Sequence, residues 1–121
     1  MPVQGRPLIW LSNAPYAGAR MRAGIDTAMA FAAFAQNPQV LVSGTGVLAL
    51  LRRETEPDYK EPSLRKLVDS LPLYDVETVW VDAASLVAYG ITRDELPAFA
   101  QCLDAGAVRA LLDDASHLFC Y

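Results

Sequence analysis

The chain has 121 residues, 53% of them apolar and 20% charged, the proportions of one ordered domain able to bury a core without staples. With 14 acidic against 10 basic residues its net charge is −4, which argues against direct nucleic-acid binding, since that needs a basic footprint. No apolar stretch reaches the roughly 18 residues that span a bilayer.

Pro7–Leu11 (PLIWL) is a short apolar run closed by the turn cluster Ser12-Asn13-Ala14-Pro15, and it predicts a first strand. From Arg20 to Gln36 the chain is rich in Ala, Met and Phe and holds no Gly or Pro after Gly24. This predicts a helix that ends before Asn37-Pro38. Gln39–Ser43 predicts a second strand, closed by Gly44-Thr45-Gly46, and Val47–Leu51 a short helix. Arg52–Pro62, dense in charge and with two prolines, predicts an exposed loop. Ser63 stands where it caps a helix running to about Leu71, with Pro72 as its stop. Glu77–Val81 predicts a third strand, which hands over at Asp82 to a helix from Ala83 to about Ala88 closed by Gly90. Pro97–Leu103 predicts a fourth strand, Asp104–Asp114 a last helix and His117–Tyr121 a final strand.

Strands alternating with helical segments predict an α/β fold, a parallel sheet with helices on both faces, in a single domain over 1–121. The strands are continuous apolar runs, as expected where both faces are covered. One helix adds something. Thr27–Ala35 (TAMAFAAFA) carries no charged residue on any face, whereas a helix packed on one side of a sheet shows a polar stripe to solvent. Met29, Phe31 and Phe34 are therefore interface candidates, and an oligomer is expected; the plainer reading is an alanine-rich face that tolerates exposure.

In open parallel sheets, ligands bind beyond the carboxyl ends of the strands. That edge is formed here by Ser12–Gly18, Ser43–Gly46 and Asp82–Ser85. The candidates for holding a small anionic ligand are Ser12, Asn13, Gly44, Thr45, Gly46, Asp82 and Ser85. Gly44-x-Gly46 falls short of a dinucleotide fingerprint and no phosphate-loop Gly-Lys-Ser/Thr occurs, so a turn explains the pair better and no cofactor is expected. Asp82 directly follows a strand and starts a helix. It reads as an N-cap accepting from the N–H of Ala84 or Ser85, or else as a functional acid. His117 is the only histidine and no Cys-x-x-Cys spacing exists, so no metal site is expected. Cys102 and Cys120 read as free thiols, inert if buried in their strands. Met1–Gly5 lacks the features of a signal peptide, and a cytoplasmic location is expected.

Three stretches, WLSNAPYAGARMRAGIDTAMAFAA, VLVSGTGVLALL and LPLYDVETVWVDAASLVAYGI, resemble the DsrE/DsrF group of sulfur-relay proteins, the DsrF/TusC branch most. The similarity runs from about Leu8 to the last strand and is most specific over Leu73–Gly90. It implies a three-layer α/β/α subunit, with a mainly parallel sheet of about five strands. Such a subunit assembles with DsrE/TusD-like and DsrH/TusB-like partners to pass persulfide sulfur toward the 2-thiouridine of tRNA or into sulfur oxidation. The sulfur-carrying cysteine of the group follows the third strand, at the position that Asp82 holds here. The resemblance therefore implies a non-catalytic subunit. Two other readings stay open: a self-assembling protein that binds a small anion at the strand edge, and an enzyme that uses Cys102 or Cys120 as an unorthodox sulfur acceptor.

Overall fold

A computed structural model describes residues 6–13, 19–51 and 64–121. The expected loop 52–62, the capping Ser63 and the stretch 14–18 of the first strand-edge turn lie outside the described residues.

Five strands form one sheet: β1 (Pro7–Leu11), β2 (Gln39–Val42), β3 (Val79–Asp82), β4 (Ala100–Leu103) and β5 (His117–Cys120). All four pairings are parallel and the order is β4-β3-β2-β1-β5. The α-helices are α1 (Arg20–Ala33), α2 (Leu64–Ser70), α3 (Ala83–Ala88) and α4 (Ala105–Asp114). From β1 to β4 each step moves the same way across the sheet, and the last step returns past β1. Right-handed crossovers then put α1, α2 and α3 on one face and α4 on the other. The expected α/β/α architecture is present.

Alternation along each strand divides the apolar residues between the two faces. Ile9, Leu11, Val40, Val42, Val79 and Val81 join Met21, Ile25 and Ala28 of α1 and Leu64 and Val68 of α2 in the main core. Leu8, Trp10, Leu41 and Trp80 face the other way. There, Leu41 is in register with Trp10 on one side and Trp80 on the other, and Leu8 and Leu41 are fully buried. Each indole N–H finds a partner on β2 or its end: Trp10 Nε1 donates to Ser43 Oγ (2.6 Å) and Trp80 Nε1 to Gln39 Oε1 (2.8 Å). The second layer is thinner, since α4 has no fully buried residue.

The boundaries shift for local reasons. Helix α1 stops at Ala33 and not at Gln36, because Ala35 (φ 57°) and Asn37 (φ 53°) adopt left-handed backbone and turn the chain into β2. The short helix after β2 is a 3-10 segment that begins at Gly44 and ends at Leu50. Helix α2 ends at Ser70, as expected ahead of Pro72, and Pro72 then sits in a further 3-10 turn, Leu71–Tyr74, where its missing N–H has no helical role. Strand β3 starts at Val79, the first residue with a partner on β2, and not at Glu77. Strand β4 starts at Ala100, since Pro97 begins a turn closed by Ala100 N–H on its carbonyl (3.0 Å). The 3-10 turn Arg93–Glu95, held by a Thr92/Glu95 capping box, has no counterpart among the expected elements.

Buried Arg65 joins three of these segments. Its guanidinium donates to the carbonyls of Leu50 and Glu95 and pairs with Asp69 at 2.9 Å.

Candidate functional site

Because every strand is parallel, the loops after β1, β2 and β3 and the end of β5 meet at one edge, and hydrogen bonds join them into a single framework. Ser12 N–H and Asn13 N–H both donate to the carbonyl of Tyr121 (2.8 and 3.2 Å). Tyr121 N–H in turn donates to Trp10 O (2.8 Å). Between β1 and β2, Ser43 N–H reaches Leu11 O (3.1 Å) and the Thr45 hydroxyl reaches Ser12 O (3.2 Å). Between β2 and β3 the link is a chain of two bonds. Gly44 N–H donates to Ser85 Oγ (2.8 Å), and the Ser85 hydroxyl donates to Asp82 Oδ2 (2.7 Å).

The two glycines have packing and backbone reasons to be there. Gly44 sits at φ +56°, which an L side chain rarely adopts. A Cβ on Gly46 would stand 2.5 Å from the carbonyl oxygen of Leu11, so only glycine lets this turn close on the end of β1. Ser12, Gly44, Thr45, Asp82 and Ser85 are thus brought into one bonded cluster. Asn13 is tied in through its backbone, and Gly46 serves close approach.

Asp82 departs from the expected geometry. It is the N-cap of α3 with extended backbone (φ −68°, ψ 114°), yet its side chain accepts no backbone N–H. Ser85, at the third helical position, offers its hydroxyl to the carboxylate instead, and that hydroxyl also accepts from Gly44. The acid therefore ties α3 to the loop after β2 and does not cap its own helix. Asp104, at the start of α4, is the true side-chain cap: its Oδ1 accepts from Ala107 N–H (2.8 Å).

The chemistry open to this edge follows from its groups. The N–H groups of Ser12, Asn13 and Gly44 and the hydroxyls of Thr45 and Ser85 are all engaged within the chain. The one ionisable side chain in the cluster is the half-buried carboxylate of Asp82, which can accept a hydrogen bond but cannot carry sulfane sulfur. The thiols lie elsewhere. Cys102 is in register with Val81 and packs partly against the main core, whereas Cys120 is exposed on edge strand β5 opposite Trp10. Among the described residues no group of three or more His, Cys, Asp or Glu side chains could hold a metal ion.

The residues singled out on α1 separate. Met29 and Phe31 lean on the core, Phe31 meeting Phe119 of β5 in a tilted contact with ring centroids 5.1 Å apart. Phe34, just past the helix end, is 77% exposed. Leu73 and Val87 are also exposed (85% and 82%) and were not candidates, because each sits within an apolar run that reads as core in the sequence. Trp10 and Tyr121 also escaped sequence reasoning, because their tie at the edge depends on the strand order that puts β5 beside β1; Ser43 belongs to the expected edge without being one of its ligand candidates.

The whole of this framework, from β1 to the last residue, is matched by one family model, the DsrE/DsrF-like family, over residues 7–121. The chain belongs to the DsrE/DsrF-like family. It is similar to a protein described as a TusC homolog from Vibrio parahaemolyticus serotype O3:K6, at 28% identity over 109 residues that cover 90% of this chain and 92% of the relative. Another TusC homolog, from Pseudomonas aeruginosa, is 28% identical over 105 residues, covering 87% and 88% of the two chains. The fold is shared with the crystal structure of the ychN protein from E. coli, with a TM-score of 0.82 at 15% identity over 97% of this chain and 99% of that one. Among the described residues, no helix of this family member is long and apolar enough to cross a membrane.

Proposed function

We propose that the chain is a TusC-like, non-catalytic subunit of a cytoplasmic sulfur-relay complex, in which a DsrE/TusD-like partner supplies the sulfur-carrying cysteine. The observation that carries this reading is Asp82. A carboxylate stands on the last residue of β3, at the junction to α3 where a sulfur carrier of this family needs a thiol, and the Ser85 hydroxyl, itself fixed by Gly44 N–H, holds it there. Similarity to two TusC homologs over about nine-tenths of the chain supports the assignment to a relay. Neither Cys102 nor Cys120 lies at a strand-to-helix junction on the strand edge, so the chain works through contacts with DsrE/TusD-like and DsrH/TusB-like subunits. Phe34, just past the end of α1, is exposed to join such a contact. The relay ends in tRNA 2-thiouridine or in sulfur oxidation, according to the acceptor.

The rival reading, a homo-oligomer that binds a small anion at the same edge, is less well supported. The N–H groups of Ser12, Asn13 and Gly44 and the hydroxyls of Thr45 and Ser85 are engaged within the chain, and the Asp82 carboxylate would repel an anion. Native mass spectrometry after mild purification from the source organism separates the two. Two related small chains in fixed ratio, one with a cysteine that takes up persulfide, is the expected result. A homo-oligomer alone overturns the relay reading.

A further inference from the structure

We draw no further inference here: the strongest candidate, the cleft of about 830 Å3 between the start of α2 and the start of β4 that is lined by Arg65, Arg93, Asp94 and Glu95, carries nothing because its buried cation is already engaged by Asp69, Leu50 and Glu95 and nothing in the structure shows what covers it.

Discussion

Replacing Ser85 by alanine tests how the strand edge is held together. Ser85 is buried, at 7% relative exposure, and its hydroxyl is both acceptor for Gly44 N–H and donor to Asp82. Ser85→Ala removes both bonds and leaves a partly buried N–H without its acceptor, at a cost of about 1–3 kcal/mol. The Asp82 carboxylate is half-buried and recovers water in part, so its loss adds little. A total of about 2 kcal/mol is expected. For 121 residues the unfolding entropy is roughly 250 cal/mol/K, so this corresponds to a fall of about 8 °C in Tm. Asp82→Ala removes only the second bond, keeps the Gly44–Ser85 tie and costs about 1 kcal/mol or less. Thermal and urea unfolding followed by circular dichroism read both variants. The order is the decisive result: if Asp82→Ala is the more damaging, the carboxylate caps the helix backbone after all and the two-bond chain is wrong.

Other substitutions probe the framework at separate points. Gly46→Ala forces a Cβ against the Leu11 carbonyl, which cannot swing away, and should cost about 2–3 kcal/mol in urea unfolding. Gly44→Ala meets only an ordinary contact at 3.6 Å and pays for its left-handed backbone, about 1 kcal/mol; equal losses at the two positions contradict the packing argument. Ala35→Gly relieves an alanine at φ 57° and should stabilise by roughly 0.5–1 kcal/mol, seen as a raised Tm. Arg65→Met leaves the carbonyls of Leu50 and Glu95 without their donor and should cost about 2–4 kcal/mol. Asp69→Ala, at a partner whose side chain is 39% exposed, should cost under about 1 kcal/mol, and a larger loss there means the ion pair matters more than the carbonyl bonds.

Much of the fold was legible because the strands announce themselves. PLIWL, QVLV and HLFC are apolar runs between turn residues, and their observed limits lie within a residue of those expected. The helix starts at Arg20 and Ala83 were also legible, since turn residues or an acid stand just before them. What failed to show were features set by tertiary context. Ala35 gives no sign that it turns left-handed, because alanine is the best helix former and only the demand to reach β2 ends α1. Pro72 marks the end of α2, but the 3-10 turn around it gives no sign of itself in the sequence. At the edge, the grouping of Ser12, Thr45, Asp82 and Ser85 followed from a general property of parallel sheets. The bonding within it did not, because the Ser85 hydroxyl and the backbone N–H compete for the same carboxylate oxygen and local sequence does not say which wins.

That competition bears on how the fold keeps its shape with an acid at Asp82, which on the proposed reading stands in place of a sulfur carrier. A thiolate after β3 and a carboxylate after β3 are both anions at the start of a helix, and the same field favours both. The carboxylate, however, extends further from the backbone and has two acceptor oxygens, so it can reach a neighbouring hydroxyl. In this chain it meets Ser85, which is already fixed by Gly44 N–H. The acid thereby becomes part of the bracing between the loop after β2 and α3, one of the ties that keep the strand edge in register. Such an edge is preorganised as a surface, and among the described residues neither cysteine joins its bonded cluster. On the proposed reading, this braced edge presents shape and charge to a partner that carries the sulfur.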